Sequence, residues 1–296
     1  MRVWFIKGAL YLLARLSLSQ VHAIAIRLGK IISQQHHWSI TRVTRTNIQL
    51  CFPQLSSTEQ NELIKQSLIE TCKTVTELGA LWLWSASQVL KQIREVSNEI
   101  YLQHAVQTGR GVILLTPHLG AWEMAGLYVS AHYPLTALYR PPKLIGLDNL
   151  IHQARERAGG RFVPTSQQGV RALYQALHHG QVVGILPDQV PSEAAAGIFS
   201  PFFGVPAYTM ILVFRLVQKT GATVLFTYAE RLPRGKGFHL HFLQAPPQIT
   251  ATQVETSVRA LNQGIEQCVQ ACPTQYQWNY KRFKRHPNGE PVQSFY

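Results

Sequence analysis

The hydrophobic and polar positions divide the chain into three stretches. Residues 3–32, "VWFIKGALYLLARLSLSQVHAIAIRLGKII", are strongly apolar, with Lys7, Arg15, Arg27 and Lys30 scattered through them. Residues 39–95 read as helical. Within them Ser56-Ser57-Thr58-Glu59 supplies an N-cap signal ahead of "EQNELIKQSLIETCKTVTELGALWLW". From residue 98 onward short apolar runs alternate with longer periodic ones. The runs predict strands over 112–116, 135–139, 182–186, 223–229 and 238–243. Helices are expected over 121–132, 145–158, 167–179, 207–219 and 252–270. That alternation indicates an α/β sheet flanked by helices. The last two strands read as a hairpin across "LPRGKG". In "FHLHFL" the apolar residues alternate with His239 and His241, which places both histidines on a solvent face rather than on a metal.

The N-terminal stretch has no uncharged run longer than Leu16–Ile26, whereas a spanning helix needs about 20 apolar residues. Lys7 and Arg27 can snorkel towards the interfaces, but Arg15 falls in the middle. Arg15 also interrupts the apolar region that a signal peptide ending at "AIA" would need. The expectation is a retained membrane anchor over residues 1–32, inserted or lying at the interface. A single domain follows over 33–296, with a helical lead-in at 33–95 and an α/β part at 96–296. "LWLW" at 81–84 is either core or membrane-facing.

Composition narrows the partners. Hydrophobic residues make up 46% of 296, enough for a sizeable core, and the net charge is +13. Residues 1–58 contain no acidic residue, and a basic cluster, "KRFKR", lies at 281–285. An anionic membrane, an acidic protein or nucleic acid would suit that charge. Zinc-finger spacing, RNP motifs and helix-turn-helix signatures are absent, which argues against nucleic acid. Cys51, Cys72, Cys268 and Cys272 form no C-x-x-C pair and read as buried thiols in a reducing compartment.

Four short stretches carry the candidate chemistry. In "VILLTPHLGAWEMAGL", 112–127, His118 lies where a strand ends and a helix begins, the usual place for chemistry in open α/β sheets. Glu123 is five residues on. An ideal helix would set the two about 140° apart, so they meet only if His118 folds back from the turn. A His held by a carboxylate can take a proton from an alcohol. In "ALYRPPK", 137–143, two prolines pin the backbone beside Arg140, which suits a phosphate or carboxylate. In "GILPDQVPS", Asp188, one of only two aspartates, follows an apolar strand and can pair with Arg140 or a sugar hydroxyl. In "SPFFGVPAYT", Phe202, Phe203 and Val205 either wall an acyl chain or pack, and Thr209 can line a polar edge. Three rim positions at three strand ends predict one cleft holding a base, a cation and a carboxylate between apolar walls.

The order H-x4-E, YRP, PDQ, FFG-x-PA-x-T resembles the bacterial lipid A biosynthesis acyltransferases of lauroyl/myristoyl type, within the H-x4-D/E glycerolipid acyltransferase superfamily. "TNIQLCFPQLS" at 46–56, "GALWLW" at 79–84 and "PTQYQWNYKRFKRHPNGEP" at 273–291 extend the likeness from about residue 40 to the end. The resemblance implies a mixed, mainly parallel central sheet, with His118 as general base and Glu123 as its orienter. Arg140, Asp188, Gln189 and Thr209 would bind substrate. It further implies an acidic acyl carrier protein as donor, a phosphorylated glycolipid as acceptor, and an enzyme anchored at the cytoplasmic face of the inner membrane, with no cofactor and no metal. Relatives often carry W-x-H-R-R where this chain has Trp278, Asn279, Tyr280, Lys281 and Arg282, so a direct role for position 280 does not carry over. Another acceptor, such as a phosphatidylinositol mannoside, or simple thioester hydrolysis would use the same base. With no Ser or Cys in a nucleophile elbow, a covalent acyl-enzyme is not expected.

Overall fold

The computed structural model describes residues 2–142, 144–287 and 295–296. Lys143 of "ALYRPPK" and residues 288–291 of the C-terminal block lie outside the described residues. In chain order the elements are α1 (Arg2–Leu13), α2 (Leu18–Gln34), α3 (Ser39–Cys51), α4 (Ser57–Leu83), α5 (Ala86–Leu90), β1 (Ile93–Ser97), α6 (Glu99–Gln107), β2 (Val112–Leu115), α7 (Trp122–His132) and β3 (Leu135–Tyr139). They continue with α8 (Asp148–Glu156), β4 (Arg161–Pro164), α9 (Gln167–His178), β5 (Val182–Ile185), β6 (Gly197–Phe202), β7 (Val205–Met210), α10 (Leu212–Thr220), β8 (Thr223–Arg231), β9 (Phe238–Gln244) and α11 (Val254–Ala271).

Among the described residues seven strands form one sheet in the order β1-β9-β8-β2-β5-β3-β4. Every neighbouring pair is parallel except β8 and β9. The hairpin expected across "LPRGKG" supplies that reversal, so β1 and β9 run against the other five strands. All four residues of β2 are buried, as a central parallel strand covered on both faces requires. One large apolar cluster lies on the side of α3, α4, α9, α10 and α11, and a second on the side of α5, α6 and α7.

The N-terminal stretch differs from a membrane-spanning anchor. It folds as two helices of 12 and 17 residues, and the second begins with a capping box in which Ser17 and Gln20 cap each other. Among the described residues no helix is long and apolar enough to cross a membrane. Instead, α2 lies along α4, burying Val21, His22, Ala25 and Gly29. A Cβ at Gly29 would stand 2.5 Å from the Ile69 Cα, so glycine sets how closely the two helices approach. The first helix keeps a bare apolar stripe: Trp4, Phe5, Tyr11 and Leu12 are 79%, 81%, 58% and 65% exposed.

Three departures have local causes. The expected helix over 207–219 is strand β7 followed by α10. Residues 197–210 form an antiparallel hairpin closed by Phe203 and Gly204, both at positive φ (48° and 77°), the twist that two-residue hairpin turns favour. Phe203 tolerates that conformation because its N–H donates to Glu266 Oε1 at 2.6 Å and its ring packs on Phe52 and Trp278. The helical reading of 39–95 ends early, since Ile93–Ser97 pairs with β9 as an edge strand. Strand β4, "RFVP", was not expected either. It is a short edge strand, and Pro164 fits there because an edge leaves some N–H positions unpaired.

Candidate active site

His118 follows β2, Asp188 follows β5 and Arg140 follows β3. Those strands are adjacent and parallel in the order β2-β5-β3, so all three residues reach the same carboxyl-end rim. The shared rim expected from the sequence is therefore present. Its internal pairing is different.

The imidazole of His118 meets Asp188, not Glu123. His118 Nδ1 lies 2.8 Å from Asp188 Oδ1, and the His118 backbone N–H donates to Asp188 Oδ2 at 2.9 Å. Ring and backbone are thus held by one carboxylate. With Nδ1–H donated to Asp188, Nε2 carries the lone pair, and the Gln189 amide reaches it at 3.1 Å. Asp188 is fully buried. Burial alone would raise its pKa, but the His118 charge and the hydrogen bonds from the His118 ring and backbone outweigh burial and hold it below the ordinary carboxylate value. Tyr276 lies against the same carboxylate. Its own burial and the Asp188 charge push its phenol well above the usual range, so it stays a neutral hydroxyl.

Glu123 belongs to a different pair. It accepts from Arg155 Nε at 3.0 Å and Nη2 at 2.5 Å, a two-pronged contact between α7 and α8. Burial lowers the Arg155 pKa, but the Glu123 charge and hydrogen bonds more than reverse that, so the guanidinium stays charged. The pair helps line a largely apolar cavity between the sheet and the helices α7 and α8. Leu114, Trp122, Leu127, Leu135, Phe162 and Ile185 wall it, and Trp82, near the end of α4, also lines it. Of "LWLW", Leu81 is core, Trp82 faces this cavity, and the Trp84 indole donates to the Ala14 carbonyl at 2.7 Å. Trp122 joins the two pairs: it lines the cavity, and its ring centroid lies 5.1 Å from that of His118.

The remaining expected residues divide. Gln189 is in the site. Arg140 is exposed on the rim and does not pair with Asp188, which His118 already occupies. Thr209 is fully buried rather than lining an edge; its hydroxyl bonds Asn262 and accepts from Arg282 Nη2 at 2.7 Å. The Phe202–Phe203 loop is packing: Phe202 is buried against Phe203, Tyr276 and Phe283. Within "KRFKR", Arg282 is buried and bonds the Tyr208 carbonyl, so that cluster is not uniformly a solvated face. All four cysteines are buried free thiols.

The loop that carries His118 is fastened from two directions. Gln277 N–H donates to the His118 carbonyl at 3.0 Å, and Gly120 N–H to the Gln275 carbonyl at 3.1 Å. Ala121 N–H donates to the Ala229 carbonyl of β8. Gly120 sits at φ +60°, where a Cβ would fall 2.0 Å from that same carbonyl oxygen. Beneath the loop Arg231 donates to the Gly120 carbonyl and, by Nε, to buried Glu77, whose carboxylate also meets His22 Nε2 at 2.5 Å. Tyr280 braces the opposite side, accepting from the Val190 N–H at 2.9 Å, two residues after Asp188. No motif announces Arg155; Trp122 and Tyr276 fall inside "VILLTPHLGAWEMAGL" and "PTQYQWNYKRFKRHPNGEP" but are not among the expected site residues.

A His–carboxylate pair beside an apolar cavity suits acyl chemistry, and comparison with known proteins gives the class. The sequence model described as bacterial lipid A biosynthesis acyltransferase matches residues 1–285. The chain belongs to that family. Its relatives include the lipid A biosynthesis lauroyltransferase of Escherichia coli (strain K12), 25% identical over 291 residues, 97% of this chain and 93% of that protein. The palmitoleoyltransferase of the same organism is 27% identical over 288 residues, with 97% and 92% covered. The myristoyltransferase is 24% identical over 276 residues, covering 92% and 81%. The protein is accordingly a lipid A biosynthesis acyltransferase, and in it Gln275 and Gln277 of the C-terminal block brace the His118 loop while Tyr280 braces the loop after Asp188.

Proposed function

We propose that this acyltransferase moves a fatty acyl chain from acyl carrier protein to a hydroxyl of a lipid A precursor, with His118 as the general base. The observation that carries the reading is the orientation of the imidazole. Asp188 takes Nδ1–H and leaves Nε2 as the acceptor at the rim, where an incoming hydroxyl replaces the Gln189 amide.

The acyl chain enters between α7, α8 and the sheet, where the cavity of about 60 Å³ must widen to hold a full chain. Trp122, which lines it and lies against His118, links it to the thioester carbonyl. The acceptor oxygen attacks that carbonyl while its proton passes to His118 Nε2. Asp188 stabilises the resulting imidazolium. Arg155, a charged donor in the cavity lining, supplies hydrogen bonds to the tetrahedral oxyanion from the N–H groups that Glu123 leaves free. Collapse breaks the C–S bond, and the leaving thiolate takes the proton back from His118. Exposed Arg140 on the same rim suits a phosphate of the acceptor or the acidic surface of the donor. The apolar stripe of α1 lies on the membrane interface and brings the rim to lipid substrate. This placement is at the cytoplasmic face of the inner membrane, where acyl carrier protein is found.

Incubation with acyl carrier proteins of several chain lengths and a phosphorylated tetra-acyl lipid A precursor, read by product mass, tests the proposal. One added acyl group per acceptor is expected. Release of free fatty acid without acylated product would replace this reading with hydrolysis.

A further inference from the structure

Two histidines outside the acyl-transfer site are arranged as ligands. Strand β9 buries Phe238, Leu240 and Phe242 on one face and turns His239 and His241 to the other, the alternation expected from the sequence. The expected solvent face, however, is partly covered. The two side chains are 17% and 20% exposed, and their ring centroids stand 3.8 Å apart. In the ladder Glu230 of β8 is directly opposite His239 on one side, and Glu95 of β1 is opposite it on the other. One donor atom from each of Glu230, His239 and His241 lies within 4.8 Å of the others. His241 Nε2 is 3.1 Å from Glu230 Oε2, and His239 Nε2 is 3.5 Å from Glu95 Oε1.

We propose that Glu230, His239 and His241 bind one divalent transition-metal ion of the zinc class, with Glu95 or water as fourth ligand. Three properties of the cluster carry this. The donor set, two imidazole nitrogens and a carboxylate oxygen, is one that zinc accepts in tetrahedral geometry, whereas magnesium and calcium require oxygen donors. The scaffold is rigid: the histidines share one face of one strand, and the glutamate comes from the hydrogen-bonded neighbour. The donor atoms already converge, so coordination needs side-chain adjustment and no movement of the backbone. Existing partners do not close the site. Ser97 Oγ meets His239 Nε2 at 2.7 Å and can turn away or hold that ring while Nδ1 ligates, and Tyr228 stacks on His241 at 4.6 Å and supports its plane. The bound ion would tie β8 to β9 and, through Glu95, to the edge strand β1. It takes no part in acyl transfer, which has its own base.

The test uses the full-length protein, stripped with a chelator and titrated with Zn²⁺ by calorimetry, with Co²⁺ absorption as a second readout. Wild type should bind one equivalent at micromolar free Zn²⁺ or below, show the visible bands of tetrahedral Co²⁺, and melt at a higher temperature with Zn²⁺ than without. His239→Gln/His241→Gln should abolish all three effects while keeping the wild-type far-ultraviolet spectrum. Should that double variant fail to fold, Glu230→Gln decides, with binding at least ~10-fold weaker expected for a damaged coordination sphere. Less than half an equivalent bound by wild type at tens of micromolar free Zn²⁺, or unchanged binding in the variants, would overturn the site.

Discussion

Asp188 holds His118 twice, through the ring at Nδ1 and through the backbone N–H, although seventy positions of chain separate them. The double contact fixes where the imidazole stands as well as which nitrogen is free. His118→Ala should lower transfer by at least ~10²-fold if the residue is the proposed base, and should also lower the melting temperature, because it leaves the buried Asp188 carboxylate without its ring partner. Asp188→Asn keeps the shape but removes the charge that stabilises the imidazolium, so kcat should fall by ~10² or more. Glu123→Gln should leave the tautomer of His118 unchanged, which ring-nitrogen NMR shifts would report. A changed tautomer in Glu123→Gln and not in Asp188→Asn would reverse the assignment.

The Glu123–Arg155 pair makes a different prediction. Its side chains are 11% and 23% exposed, so removing one partner leaves a largely desolvated charge. Glu123→Ala should cost about 3 kcal/mol of stability, measured by denaturant unfolding, and should also depress transfer by displacing Arg155. Adding Arg155→Met should recover at least half of the stability and none of the activity. Recovery of both would show that the guanidinium has no part in the reaction.

Stability should depend on pH through Asp188. Its pKa in the folded protein lies below the unfolded value of about 3.9. The ionised carboxylate therefore contributes stability that is complete above that value and is lost as pH falls through the lower, folded one. Unfolding midpoints followed from pH 6 to pH 2 should show a steeper acid-side loss in wild type than in Asp188→Asn. Parallel curves would contradict the depressed pKa.

Gly126 offers a handle on the acyl chain. It lines the cavity from the middle of α7, and a Cβ there would meet nothing within 4 Å. Gly126→Ala should stabilise the helix by up to ~1 kcal/mol, because the new methyl enters open space. Gly126→Leu should fill the cavity and shift preference among acyl donors towards shorter chains, read as a change in kcat/KM ratios across chain lengths. An unchanged preference would place the acyl chain elsewhere.

Docking of the apolar α1 stripe on a membrane, as proposed, has its own test. Trp4→Glu/Phe5→Glu should weaken sedimentation with anionic vesicles by at least ~10-fold. The fold should stay intact, since both residues are exposed. Deleting residues 1–32 is a poorer test, because it also removes α2 from its seat along α4.

Much of the fold was legible because it rests on local periodicity. Strands β2, β3, β5 and β8 fall where short apolar runs occur and β9 where apolar residues alternate with histidines, and the Ser56 cap forms with Glu59 as its letters suggest. Elements that lie at an edge or in an excursion were not legible. Short β4 owes its strand form to its neighbour β3, and β7 owes its form to a turn whose Phe203 sits in an unusual conformation held by a distant glutamate.

Local patterning alone was enough to say which residues reach the carboxyl-end rim. A strand that ends in a short loop delivers its next residues to the carboxyl edge whatever the rest of the chain does, so His118, Arg140 and Asp188 were placed by their position after apolar runs. Which of them touch was set by how the elements pack in space. Contacts between strand ends depend on the spatial order β2-β5-β3, which sets Asp188 beside His118, and on the packing of α7 against α8, which gives Glu123 to Arg155. Spacing along a chain measures rotation within one element. It carries no information about the element that arrives from seventy residues away.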